Sequence, residues 1–158
     1  MFYTILIFWI ILDIFTKYLA NIYLQDRINI LWDFLYFQFT RNPGIAFWME
    51  IYPLLLKIIT ISLIILIFYY YKWEKKNISK INSSLTKGYV WKIEGFLLLD
   101  ISFWLILAWA IWNWIERVFN SNVIDFIWVK YFSIFNLADS FISIGAVIYM
   151  YILYKNNK

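Results

Sequence analysis

The chain has 158 residues, of which 64% are hydrophobic and 15% are charged. Soluble proteins usually contain about 45–50% hydrophobic and about 25% charged residues. A soluble domain of this length cannot bury so much apolar surface, so the composition indicates one integral membrane domain over residues 1–158. Because the sequence contains neither Cys nor His, it excludes disulfides, thiol nucleophiles, zinc sites built on those residues, haem ligation and a Ser-His triad.

Four apolar stretches are long enough to cross a bilayer as helices, which takes about 20 residues each. We expect spans at about residues 2–24, 51–71, 95–115 and 132–154. The first stretch lacks a basic segment before it and a small-residue cleavage site after it, so we interpret it as a retained helix. The predicted fold class is therefore an all-α integral membrane protein with four transmembrane helices.

The connection between the second and third spans is strongly basic. Glu74 is accompanied there by six lysines: Lys72, Lys75, Lys76, Lys80, Lys87 and Lys92. The positive-inside rule places this connection and both termini in the cytoplasm, so the other two connections face outward. In the first of these, the stretch 28–40 is rich in Ile, Phe and Tyr. It predicts short strands on the membrane surface, forming a small β-like platform between the first two helices.

Charged residues within spans need an explanation, because a charge at the centre of a lipid-facing helix costs about 2.5–3.5 kcal/mol. Asp13 and Lys17 are spaced i and i+4 in the first span and can pair with each other. This pair is either structural or functional, and its spacing does not decide between the two. Asp100 lies nearer the cytoplasmic end of its span, where its side chain is expected to reach the interface.

Polar residues also crowd the outward ends of the last two spans. They are Asn113, Glu116, Arg117, Asp125, Asn136, Asp139 and Ser140. Two carboxyl groups near an apolar boundary tend to share one proton. Such a pair can hydrolyse an amide, with one group deprotonating water and the other protonating the carbonyl. A polar network that only seals the helix ends would contain the same residues, so spacing alone leaves both interpretations open.

Five short motifs then follow one another in the chain. They are Asp13-Ile-Phe-Thr-Lys17, Asn42-Pro-Gly-Ile-Ala-Phe47, Asn113-Trp-Ile-Glu-Arg-Val118, Val123-Ile-Asp-Phe-Ile127 and Phe135-Asn-Leu-Ala-Asp-Ser140. In these motifs, over nearly its whole length, the sequence resembles lipoprotein signal peptidase, the bacterial signal peptidase II. The resemblance implies an aspartyl endopeptidase of the bacterial inner membrane. Such an enzyme cuts diacylglyceryl-modified prolipoproteins just before the lipidated cysteine, at the outer face of the membrane.

The resemblance also assigns roles to individual residues. It implies that Asp125 and Asp139 are the catalytic pair, although which of them carries the proton stays open. Substrate-binding or positioning roles fall to Asn42, Asn113, Arg117 and Asn136, and structural polar roles to Asp13, Lys17 and Glu116. No metal or other cofactor is implied. The expected partners are lipid-modified prolipoproteins and membrane lipids, without nucleic acid, and the expected state is a monomer.

Two alternatives remain beside the peptidase. A small channel or transporter would also explain charges inside the membrane, but it needs polar residues along a path across the bilayer. The second span offers little of this kind beyond Thr60 and Ser62. The other alternative is an inactive paralogue of the peptidase.

The sequence departs from the family pattern in two ways. Glu116 stands where the family typically has Asp, and several family glycines are tryptophan here: Trp48, Trp109 and Trp112, with Trp32 and Trp128 as further candidates. The chain contains 4 Gly and 10 Trp. Some bacterial genetic codes read UGA as glycine and others read it as tryptophan. We therefore expect several of these residues to be glycine in the cell, the alternative being a natural Trp-rich or inactive variant.

Overall fold

The computed structural model describes residues 2–44, 52–84 and 89–156. Four long helices lie in these ranges: α1 (Phe2–Tyr23), α2 (Pro53–Ser84), α3 (Tyr89–Asn120) and α4 (Leu137–Asn156). Each contains a segment long and apolar enough to cross a membrane. The prediction of four transmembrane helices is confirmed. Residues Trp48 and Lys87, which the sequence analysis singled out, lie outside the described ranges.

The end of α2 and the start of α3 extend beyond the expected spans. The lysine-rich connection is helical up to Ser84 and again from Tyr89. Lysine and glutamate are good helix formers, so the backbone continues as helix after the apolar stretch has ended. α3 also continues to Asn120, where the sequence suggested an outer loop from residue 116.

The fourth helix begins at Leu137 rather than at residue 132 because Asn136 caps it. The side-chain oxygen of Asn136 accepts the backbone N–H of Asp139 at 3.0 Å. In return, the carboxylate of Asp139 accepts the backbone N–H of Asn136 at 2.9 Å. This reciprocal arrangement is a capping box, and it fixes both side chains at the start of α4.

A small antiparallel sheet accompanies the helices, with strands in the order β1 (Ile28–Leu31), β2 (Leu35–Asn42) and β3 (Val123–Val129). The first two strands confirm the predicted platform between α1 and α2. The third strand comes from the segment between α3 and α4, for which the sequence analysis predicted no strand. Its sequence Val-Ile-Asp-Phe-Ile-Trp-Val is rich in β-branched and aromatic residues, so it carried a strand signal.

The third helix is the centre of the bundle and contacts α1, α2 and α4. It packs tightly against α4 at Gly145, where an added Cβ would lie 2.7 Å from the Ser102 carbonyl oxygen and 2.8 Å from Ile106 Cγ1. The Ser102 hydroxyl donates to the Gly145 carbonyl at 2.8 Å. The two backbones therefore pack without intervening side chains at this point, as small residues allow in membrane helix pairs.

Asp100 does not extend to the membrane interface as expected. It is 1% exposed, and it accepts hydrogen bonds from the Tyr71 hydroxyl at 2.6 Å and from Lys75 Nζ at 2.7 Å. The continuation of α2 past the apolar stretch brings Lys75 over this carboxylate. We refer to Tyr71, Lys75 and Asp100 as the Asp100 cluster.

Candidate active site

Asp125 lies in β3 and is held by two side-chain amides. Asn42 Nδ2 donates to its Oδ2 at 2.8 Å, and Asn136 Nδ2 donates to its Oδ1 at 2.8 Å. Flipping either side-chain amide would break a hydrogen bond. Asn42 Oδ1 accepts the Gly44 N–H at 2.9 Å, and Asn136 Oδ1 accepts the Asp139 N–H at 3.0 Å. Both amides therefore present N–H groups to Asp125, which must act as an acceptor toward each of them.

Asp139 lies in the first turn of α4, surrounded by hydrogen-bond donors. Besides the backbone N–H of Asn136, its carboxylate accepts Trp109 Nε1 at 2.6 Å and Asn113 Nδ2 at 3.4 Å. The positive end of the α4 dipole lies at the same place. Together these donors hold the carboxylate in place at the start of α4.

The structure describes no direct cationic partner for either carboxyl group within residues 2–44, 52–84 and 89–156. Among the described residues, neither Asp125 nor Asp139 forms an ion pair. Arg117 lies close by, but its hydrogen bonds go to the backbone carbonyls of Gly44 at 3.1 Å and Asn113 at 3.4 Å. Burial, followed by the neighbouring charge of Asp139, raises the pKa of Asp125 to about 7. At neutral pH, Asp125 can therefore hold or release a proton.

A second polar group next to this pair contains a lysine that two carboxylates share. Lys17 Nζ lies 2.7 Å from Asp13 Oδ2 and 2.6 Å from Glu116 Oε2, and all three side chains are buried. Lys17 also donates to Asn113 Oδ1 at 3.0 Å, while Asp13 accepts the backbone N–H of Ala138 at 3.0 Å. We refer to Asp13, Lys17 and Glu116 as the Lys17 cluster, which joins α1, α3 and α4 behind the site.

A cavity of about 790 Å³ brings the proposed catalytic and positioning residues together. Its polar walls are Asn42, Asn113, Arg117, Asp125, Asn136, Asp139, Ser140 and Ser143. Its apolar walls come from α2 and α4, with Leu56, Ile59 and Leu63 on one side and Ile144 on the other. The sequence did not single out these α2 residues, because lipid-facing and cavity-facing positions of that helix are equally apolar.

Two further features of the site bear on its chemistry. The sequence analysis did not predict the hydrogen bond between Trp109 and Asp139, since it treated Trp109 only as a departure from a family glycine. In the parts of the chain that the structure describes, no group of three or more acidic side chains is placed to hold a metal ion.

Four membrane helices around a cavity that contains two buried or half-buried carboxyl groups place the protein in the class of integral membrane enzymes. Solved structures agree with this class. A bacterial membrane enzyme determined by the in meso method at 2.3 Å resolution aligns with 99% of this chain and 89% of its own, with a TM-score of 0.74 and 26% identity. A second bacterial membrane enzyme, at 1.9 Å resolution, gives a TM-score of 0.70.

Residues 5–155 match the family described as signal peptidase (SPase) II. The lipoprotein signal peptidase of Chlorobium phaeobacteroides strain BS1 is 32% identical, over 88% of this chain and 86% of that protein. The lipoprotein signal peptidase of Pelodictyon phaeoclathratiforme is 32% identical, over 95% and 88% of the two chains. The chain belongs to the signal peptidase II family and is a multi-pass membrane peptidase.

Proposed function

We propose that the chain is an aspartyl endopeptidase that removes signal peptides from diacylglyceryl-modified prolipoproteins, cutting before the lipidated cysteine. One observation carries the proposal: Asp125 and Asp139 face one cavity, hold no ion pair in the described structure, and are positioned by amides. Carboxyl groups that serve only to stabilise a membrane bundle are normally paired with a cation. Every proposed catalytic and positioning residue lies in one chain, which supports a monomeric enzyme.

The reaction needs one ionised and one protonated carboxyl group. Asp139, which accepts hydrogen bonds from the Asn136 N–H and Asn113 Nδ2, is the general base and takes a proton from a water molecule as the water oxygen attacks the scissile carbonyl carbon. Asp125 gives its proton to the carbonyl oxygen, producing a tetrahedral diol. The diol then collapses as the C–N bond breaks. The leaving nitrogen receives a proton from Asp139, and Asp125 takes back the hydroxyl proton.

The cavity walls support a substrate that enters from the bilayer. The cavity is lined both by the polar side chains around Asp125 and Asp139 and by apolar residues, many of them from α2 and α4. An apolar signal peptide can lie along these walls while its scissile bond reaches the two carboxyl groups. Asn42, Asn113, Asn136 and Arg117 hold the carboxyl groups and the adjoining backbone in place, and they are positioning residues.

The proposed orientation places the site at the outer face of the membrane and both termini in the cytoplasm. Because the chain contains no cysteine, single cysteines can report the topology directly. A membrane-impermeant thiol reagent applied from outside should label Asn120→Cys, beside the site, and should not label Ser83→Cys. The opposite labelling would move the site to the cytoplasmic face and contradict the proposal.

The activity test uses purified protein in detergent with a lipidated prolipoprotein as substrate. The expected result is one cut before the lipidated cysteine, located by mass spectrometry of both products. A prolipoprotein whose cysteine is replaced by serine, and which therefore carries no lipid, should remain uncut. The matched control variant is Asp33→Asn, because Asp33 is an exposed carboxylate of the outer platform paired with Arg27. Full cleavage of the unlipidated substrate would contradict the proposed specificity.

A further inference from the structure

Among the described tryptophans, Trp32, Trp109 and Trp112 differ from Trp9 and Trp114 in how they fit the structure, and glycine is scarce in the sequence. Glycine makes up 4 of 158 residues and tryptophan 10. An average protein contains about 7% glycine. We infer that the protein made in its own cell carries glycine at positions 32, 109 and 112, because these codons are UGA and are read as glycine. The inference concerns residue identity and does not depend on the proposed peptidase mechanism.

The first observation is the backbone at Trp32. Its φ is +42°, in the left-handed region that favours glycine. Trp32 is the first of the two central residues in the turn closed by the Phe34 N–H and the Leu31 carbonyl, at 2.9 Å. Glycine adopts a positive φ without the steric cost that a side chain as large as an indole adds. The indole of Trp32 is 87% exposed and gains little packing in return.

A positive φ does not single out Trp32 by itself, because Ser121 and Tyr131 share it. The second observation is therefore independent and concerns Trp112 in α3. Its indole Nε1 is buried and has no hydrogen-bond acceptor in the structure. A buried donor without a partner is rare in native proteins and destabilises them. Glycine at this position removes the donor and leaves room beside Asn113.

The third observation places Trp109 in a closely packed helix pair. Ser102, Ile106 and Trp109 are spaced i, i+4 and i+7, so they share the face of α3 that meets α4. On that face α4 needs glycine at position 145, because a Cβ there would lie 2.7 Å from the Ser102 carbonyl oxygen. One further turn along, the indole of Trp109 donates to Asp139. It occupies a carboxylate oxygen that a hydrolytic water would otherwise contact.

Trp9 and Trp114 fit their surroundings and are expected to be genuine. Trp114 Nε1 donates to the Lys57 carbonyl at 3.0 Å, and the ring of Trp9 packs against Phe141 at 4.7 Å. Trp128 stacks on Tyr36 across the strand pair at 5.3 Å. Its buried Nε1 has no acceptor, yet the aromatic pair suits a strand, so it is excluded from the inferred set.

The decisive test reads the gene and the protein of the source organism together. Codons 32, 109 and 112 should be TGA, whereas codons 9 and 114 should be TGG. Mass spectrometry of peptides from the native membrane protein should then show glycine at the first three positions and tryptophan at the other two. TGG at positions 32, 109 and 112, or tryptophan in the native peptides there, would overturn the inference.

A recombinant comparison separates the inference from the proposed reaction. The triple variant W32G/W109G/W112G should unfold at a higher temperature in detergent than the chain as printed, and Trp114→Gly should unfold at a lower one. With a lipidated prolipoprotein, the triple variant should turn over at least about tenfold faster, since Asp139 is then open to water. A printed chain that is more stable and more active than its glycine form would contradict the inferred residues. If neither form cleaves the substrate while the codon and peptide results hold, only the proposed reaction fails.

Discussion

The two ends of the membrane bundle treat their buried carboxyl groups differently. In the Asp100 cluster, the carboxylate accepts hydrogen bonds from a lysine and from a tyrosine hydroxyl. At the site, about 20 Å away along α3, Asp125 receives only two neutral amides. Asp125 and Asp100 are equally hidden, at 2% and 1% exposure. The difference therefore lies in charge compensation and not in burial.

This comparison shows how the fold leaves one buried carboxyl group without a cationic partner, as the proposed mechanism requires. A carboxylate paired with a lysine is stabilised in its ionised form and has little tendency to exchange a proton at neutral pH. A buried carboxyl group that is held by amides is fixed in position without that compensation. Its pKa therefore rises toward neutrality, and for Asp125 it reaches about 7. The Lys17 cluster, immediately behind the site, also pairs its carboxylates with a lysine. There it fixes the helices that carry the amide-held carboxyl group's surroundings.

The strongest test of the comparison removes each proposed catalytic carboxyl group. Asp125→Asn and Asp139→Asn should each lower turnover by about 100- to 10,000-fold, because each removes one proton-transfer partner. The double variant should be little worse than either single one, since the two groups act as a unit. Turnover is measured with the lipidated substrate on equal amounts of purified folded protein. Near-normal turnover of either single variant would remove it from the catalytic pair.

The next effect is expected on stability, in the Lys17 cluster. Lys17→Met leaves Asp13 and Glu116 buried together without their cation, and breaking such a buried group costs about 3–5 kcal/mol. The unfolding midpoint in detergent, followed by tryptophan fluorescence, should fall sharply. Lys76→Met, at an exposed position of α2, is the matched control and should leave the midpoint unchanged. An unaltered midpoint for Lys17→Met would show that the cluster does not hold the bundle together.

Much of this arrangement was predictable from the sequence, and the reasons are physical. The spans follow from the length of apolar stretches, and the Asp13–Lys17 spacing allows the ion pair that is found at 2.7 Å. The third strand could have been recognised from its β-branched residues. The partner of Asp100 could not have been recognised from the sequence, because Lys75 comes within reach only where α2 continues past its apolar stretch. Cavity-facing and lipid-facing residues of α2 also remained indistinguishable, since the bilayer and the substrate select the same side chains.

A smaller, graded effect is expected from pH. Asp125 must hold a proton to act as the acid, and its pKa is raised to about 7, so the protonated form predominates below that pH. As the pH rises above about 7, turnover should fall, approaching tenfold per unit. Initial rates between about pH 5 and about pH 9 measure this limb, with the folded fraction checked at each pH. A rate that stays constant through the alkaline range would contradict the role of Asp125 as the proton donor.

The smallest effect on activity is expected at the Asp100 cluster. Asp100→Asn removes the ion pair but keeps an acceptor for the Tyr71 hydroxyl, and Lys75, whose side chain is 36% exposed, can turn to solvent. The unfolding free energy should therefore fall by about 1–3 kcal/mol, while turnover per folded molecule stays unchanged. Asp33→Asn provides the exposed carboxylate for comparison in both measurements. If Asp100→Asn lowered turnover as far as Asp139→Asn, charge compensation would not separate structural from reactive carboxyl groups in this bundle. An unchanged rate with reduced stability would place the chemistry at the uncompensated end alone.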